Sequence, residues 1–127
     1  MSKGALAGLP RHLADDQLLS QLLGSKSAEV VVAQAGRAFF VAGIAEVSTQ
    51  KPIVVVTSTA REAETLCDDL EIWLGKDRVR YFPAWETLPF ERISPATETM
   101  GNRLEILHGI QTGRGPDVLV APVRSLL

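Results

Sequence analysis

Between Val31 and Ala38 the chain reads Val31-Val32-Ala33-Gln34-Ala35-Gly36-Arg37-Ala38, the length of the phosphate-binding pattern G-x-x-x-x-G-K-[ST]. A working loop of this kind wraps phosphates in backbone N–H groups, reaches the β- and γ-phosphates with a lysine and sets a Ser or Thr hydroxyl on Mg²⁺. Here the first glycine position holds Val31, the lysine position Arg37 and the hydroxyl position Ala38, so Gly36 alone fits. Arginine keeps the charge but is a planar fork in place of a compact ammonium, and Ala38 can ligate no metal. The loop reads as a degenerate phosphate loop. A helix N-terminus behind it would still favour an anion, but hydrolysis of ATP there is not expected, and no catalytic, cofactor-binding or metal-binding residue is assigned.

The remaining candidates do not restore the missing chemistry. Lys26-Ser27 looks like the end of a phosphate loop but precedes the first expected strand instead of following it. A Mg²⁺-holding acid belongs at the end of a strand, whereas Asp117 starts one and follows Gly115-Pro116 as a turn residue would. His12 and His108 fall on separate helices with no Ser or Cys nucleophile beside them in sequence. The single cysteine, Cys67, can form no disulfide within the chain, and its place on an apolar helical stripe favours a buried structural thiol. Arg78, Arg80, Arg92 and Arg103 are candidates for a basic patch, although scattered surface arginines are the commoner explanation.

These residues must be positioned by a βα alternation. Residues 1–10, with Gly4, Gly8 and Pro10, form a loose lead-in, and 11–127 make one α/β domain. Leu18, Leu19, Leu22 and Leu23 give a helix over His12–Leu23 with Gly24 as its stop. Glu29–Ala33 is the first strand, covered on both faces, and Ala38–Val47 a largely buried helix. Pro52–Val56 is the second strand, and Thr59 with Glu62 makes a capping box for a helix over Arg61–Leu74, whose apolar face is Ala63, Leu66, Cys67, Leu70 and Leu74. Val79–Phe82 is the third strand. A last helix, about Glu98–Thr112, carries Met100, Leu104, Leu107 and Ile110 as its apolar stripe, and Asp117–Ala121 is the fourth strand. The alternation predicts a parallel sheet flanked by helices. Between them, Trp85–Pro95 interleaves Trp85, Leu88, Phe90 and Ile93 with Glu86, Glu91 and Arg92, the composition of an ordered loop that docks or functions.

At 127 residues the chain is long enough for one core, and 46% hydrophobic with 22% charged residues excludes a wholly disordered chain. Apolar runs fall short of the ~20 residues of a membrane span, so a cytoplasmic protein is the default expectation. A net charge of −2 gives no strong whole-surface attraction to nucleic acid.

The segment Tyr81-Phe82-Pro83-Ala84-Trp85-Glu86-Thr87-Leu88-Pro89-Phe90-Glu91, followed by Ser94-Pro95 and Arg103-Leu104, resembles the amino-terminal region of the bacterial transcription-repair coupling factors, the Mfd family. Leu9-Pro10 through Leu23, the Ala121-Pro122-Val123-Arg124-Ser125-Leu126 ending and the degenerate loop agree with it. The resemblance implies a P-loop, helicase-like fold similar to the first domain of the excision-repair protein UvrB. It also implies a non-catalytic module of a much longer protein that displaces RNA polymerase stalled at DNA lesions. In that family ATP and Mg²⁺ are used by a carboxy-terminal DNA translocase, and UvrA is recruited through the UvrB-like module, mainly by the domain that follows this one. No UvrA-contact residue is carried over. A domain taken from such a protein exposes apolar surface where its neighbours pack, so a homodimer, or exchange of an element between copies, is expected.

Overall fold

The computed structural model describes residues 6–85 and 97–127. It is an α/β layer structure around a parallel three-stranded sheet in the order β1-β3-β2, with β1 Ile53–Thr57, β2 Val79–Tyr81 and β3 Val118–Pro122. Ile53 lies opposite Val118 and Val79 opposite Val118 on its other side, so the fully buried β3 is the central strand. Among the described residues there are four α-helices, α1 Gln17–Gly24, α2 Arg37–Val47, α3 Ala60–Leu74 and α4 Thr97–Gln111, of which α2, α3 and α4 supply the residues that cover the sheet.

Alternation along the strands divides the core. Val118 and Val120 face Ala38, Ala42 and Ala45 of α2 and Ala63, Cys67, Leu70 and Leu74 of α3. Leu119 and Ala121 face the other way, against Ile106 of α4 and Phe82. The small residues of α2 allow close approach on both sides. Leu13, in the 3₁₀ segment Leu9–Asp15, fills the space a side chain at Gly43 would need, and Phe39 meets Trp73 of α3 edge-on at 5.0 Å. α3 stops at Gly75, whose φ of +89° is one that L side chains rarely adopt.

Three expectations change. The helix expected over His12–Leu23 is broken at Asp16, whose extended backbone and side chain, accepting from the Leu18 amide, start α1 afresh. Leu9 and Pro10 already belong to the 3₁₀ segment, and Pro10 is buried. The run Glu29–Ala33 is not a strand: Val30 is 45% and Val31 96% exposed. A continuous apolar run makes a doubly covered strand only where a neighbouring strand accepts its hydrogen bonds, and among the described residues it finds none. In α4, Met100, Leu104 and Leu107 of the expected stripe are exposed and only its last member, Ile110, packs against the core, while Thr99, Arg103 and Ile106 turn inward. The inward positions keep helical spacing but begin one residue earlier, and an arginine occupies one of them.

Candidate functional site

In parallel α/β sheets ligands bind beyond the carboxyl ends of the strands. A cleft of about 830 Å³ opens at that end of β1, lined among others by Val32, Gln34, Arg37, Ala38, Thr59 and Glu62. Arg37 begins α2 and is exposed; Ala38, just behind it, lines the cleft but is only 6% exposed, and its methyl group packs into the core. Gly36 ends a short 3₁₀ turn, Gln34–Gly36, with Val32 as its nearest side-chain neighbour. Val31 stands away in solvent. The structure therefore brings Arg37 and Ala38 to the cleft and leaves Val31 outside its lining.

The second helix that starts at the cleft is already supplied with an anion. The Thr59 side chain accepts from the Glu62 amide at 3.2 Å, as the capping pattern predicts. The Glu62 carboxylate reaches one residue further back than in the usual box, accepting from the Ser58 hydroxyl at 2.6 Å and the Ser58 amide at 3.2 Å. These hydrogen bonds, helped by the charge of Arg37, hold the Glu62 carboxyl below the usual carboxylate range. A phosphate approaching Arg37 would meet this carboxylate, and the lining as a whole sets Arg37 and Arg61 against Glu62 and Asp69, so its cations are matched by carboxylates of the same chain.

The opposite end of the sheet explains Asp117. Its Oδ2 accepts from Arg78 Nε at 2.6 Å and pairs with Lys51 Nζ at 3.0 Å, while its backbone carbonyl receives the Ile53 amide. Arg78 Nη1 meets Glu46 Oε1 at 2.5 Å, and Arg11 lies 3.4 Å from the other Glu46 oxygen. This network ties the 3₁₀ segment, α2, β1, β2 and β3 together where the strands begin. Asp117 is thus a structural acid, with more partners than a simple turn residue has.

Among the described residues the candidate arginines do not gather into a patch. Arg78 is consumed by the network, Arg80 is exposed, Arg92 lies outside the described residues, and Arg103 is inserted between rings. The Arg103 guanidinium stacks 4.3 Å from the Phe82 ring centre and 4.4 Å from that of Trp85. Its Nη1 donates to the Pro83 carbonyl at 2.6 Å and to that of Ser125 at 3.2 Å. Of the Trp85–Pro95 segment only Trp85 is among the described residues, so the interleaving of Leu88, Phe90 and Ile93 with Glu86, Glu91 and Arg92 lies outside them. Sequence reading did not single out Glu46 and placed Arg103 in a candidate surface patch; the available signal for its inward position was its alignment with Thr99 and Ile106 along one face of α4.

Cys67 and His108 both line a cleft of about 800 Å³ between α3 and α4, but they form no nucleophile pair. Burial, with Glu71 and Asp68 nearby, pushes the Cys67 thiol up to about 11. At pH 8 only about 0.1% is thiolate, the reactive form. Ellman's reagent is expected to react on the order of a hundredfold more slowly with the folded chain than with the urea-unfolded chain; equal rates would show that the thiol is neither buried nor raised. Among the described residues no group of three or more His, Cys, Asp or Glu side chains could hold a metal ion, and no helix is long and apolar enough to cross a membrane.

No family model matches the chain. It is similar to curated transcription-repair-coupling factors: 40% identical over 118 residues to that of Mycobacterium tuberculosis, covering 87% of this chain and 9% of the relative. With the Escherichia coli protein the identity is 30% over 120 residues, 94% of this chain and 9% of the relative, and with the Bacillus subtilis protein 29% over 124 residues, 98% and 9%. The chain thus spans 9% of the length of these curated relatives.

Proposed function

Because the chain belongs to the transcription-repair-coupling factor family, as a segment matching 9% of its relatives' length, we propose that it is a non-catalytic, UvrB-like scaffold with a degenerate phosphate loop. On this reading the whole protein uses ATP and Mg²⁺ in other domains, as a DNA translocase that displaces stalled RNA polymerase. It recruits UvrA through the UvrB-like module, with the main contacts on the domain that follows. The scaffold's part is to present a fixed surface to those domains, which asks for stability and no turnover.

The observation that carries this reading is the composition of the cleft at the end of β1. The lysine and hydroxyl positions hold Arg37 and the buried Ala38, and the start of α3 beside them is occupied by the Glu62 carboxylate. Neither Arg37 nor Ala38 can ligate a metal where the phosphate-loop pattern places the lysine and the hydroxyl, and the charge that would draw a triphosphate is partly balanced by Glu62. Titrating the 127-residue chain with ATP and Mg²⁺ in a calorimeter is expected to give no binding heat up to about 1 mM nucleotide, a range in which even weak sites register. Micromolar, Mg²⁺-dependent binding that disappears in Arg37→Ala would overturn the scaffold reading and make the loop a nonstandard nucleotide site.

A further inference from the structure

The 3₁₀ segment Leu9–Asp15 packs along α2, and α1 packs on that segment. Little else joins them to the sheet. The backbone amides of Asp16, Ser20 and Ser25 donate to Leu13, Asp16 and Leu22, and among the described residues no backbone hydrogen bond leads from residues 6–25 to another part of the chain. One ion pair does, from Arg11 to Glu46 at 3.4 Å, with most of the Arg11 side chain in solvent. What fastens the segment is a knob in a hole: Leu13 fills the notch at Gly43, where an added Cβ would collide with Leu13 Cδ1. Helical spacing puts Gly43 off the face of α2 that carries Ala38, Ala42 and Ala45, which pack with α3 and the strands, so opening the notch leaves that core closed. Glu46 would keep Arg78.

The residues that follow form a tether. Every residue of 26–31 is exposed, and among the described residues none of them makes a hydrogen bond. Val32 then turns in, beside Gly36, as part of the wall of the cleft at the end of β1. The tether is therefore held at one end by the Leu13 knob and at the other by Val32. We propose that residues 9–24 are a latch: when Leu13 leaves the Gly43 notch, the segment comes off α2 as a unit and Val32 is freed from the cleft wall, while α2, α3 and the sheet stay folded. Opening exposes little apolar surface, chiefly Leu13 and the buried Pro10 and Leu19, and returns conformational freedom to the whole segment, the balance that places a unit at the low-stability end of a fold. The latch acts on the wall of the cleft whether or not the cleft takes a ligand, so it stands apart from the scaffold reading.

Amide exchange of the 127-residue chain, read residue by residue, tests this. The Ser20 and Ser25 amides report the latch, the Gly36 amide, which donates to the Ala33 carbonyl at 2.8 Å, reports the wall, and the Leu70 amide within α3 reports the core. Protection at Ser20, Ser25 and Gly36 is expected to be on the order of 100-fold lower than at Leu70. In Leu13→Ala it should fall by a further factor of about 10 at all three, with Leu70 unchanged. Gly43→Ala drives Leu13 from the notch while favouring helix at that position, so it should give the same pattern, and the two substitutions together should do no more than either alone. Should a variant unfold, the unaltered chain decides: Ser20, Ser25 and Gly36 must share one urea dependence of exchange, smaller than that of Leu70. Ser20 and Ser25 as protected as Leu70, or Gly36 unmoved in a folded Leu13→Ala that loses protection at Ser20 and Ser25, or additive effects of the two substitutions, overturns the proposal.

Discussion

Replacing Arg78 with alanine is expected to lower the free energy of unfolding by about 2–3 kcal/mol, read as a lower urea midpoint at unchanged slope. Arg78 is the member that touches both acids of the network, at 2.6 Å from Asp117 and 2.5 Å from Glu46. Its removal leaves Glu46, with a side chain only 11% exposed, to Arg11 alone, whose side chain is 61% exposed at 3.4 Å. Asp117 retains Lys51, which places the loss below the upper range for an orphaned buried charge. Lysine at position 78 has one ammonium and cannot donate along both directions of the fork, so it should recover less than half of the loss. A midpoint unchanged by Arg78→Ala would mean that the network contributes nothing beyond its desolvation cost.

The same network makes a pH prediction. Burial alone would raise the Asp117 carboxyl, but hydrogen bonds from Lys51 and Arg78, and their charges, outweigh it and hold it below the usual carboxylate range. A lowered native value means that the contribution of Asp117 is fully present above its unfolded value of about 3.9 and is lost as pH falls through the lower native one. The stability gap between the unaltered chain and Asp117→Asn is therefore expected to be constant from about pH 5 to pH 7 and to narrow below about pH 4. A gap that widens on acidification would reverse the sign and exclude this role for Asp117.

Legibility followed how local the controlling physics was. α3 could be read almost residue by residue, because a Thr59 cap, a pure apolar stripe from Ala63 to Leu74 and a terminal Gly75 all act within a few positions of each other. β3 was legible as a short apolar run following the Gly115-Pro116 turn, although it lies one residue later, Val118–Pro122, than the expected Asp117–Ala121. Glu29–Ala33 was misread because its composition specifies that a strand would be stable if paired, and pairing depends on distant segments. At the candidate site the sequence shows Arg37 and Ala38 where the phosphate-loop pattern has lysine and a hydroxyl. It could not show that Glu62 turns back to Ser58 beside them, since that requires knowing that α2 and α3 start at one cleft. The α4 stripe was misplaced because apolar periodicity discounts arginine, although a guanidinium with stacking partners and two carbonyl acceptors is a good inward-facing group.

That arginine gives the other large expected effect. Arg103→Ala should cost about 2–3 kcal/mol, the sum of two modest cation–π contacts and two charged hydrogen bonds less what water restores. The carbonyls of Pro83 and Ser125 lose their shared donor, and Phe82 and Trp85 lose the plane between them. Since Arg103 is on α4, Phe82 follows β2 and Ser125 follows β3, the change uncouples three elements on the face of the sheet opposite α2 and α3. Trp85, already 37% exposed, reports this directly: in a Trp73→Phe background its emission should shift to the red and become more accessible to iodide. Arg103→Lys keeps the charge but neither the planar stack nor the paired donors, so it should recover the urea midpoint only in part and leave the Trp85 emission near that of the alanine variant. Full recovery by lysine would mean that charge alone holds the cluster. An unshifted Trp85 in Arg103→Ala would mean that the ring is held by other contacts, and that the guanidinium is a passenger between the aromatic side chains.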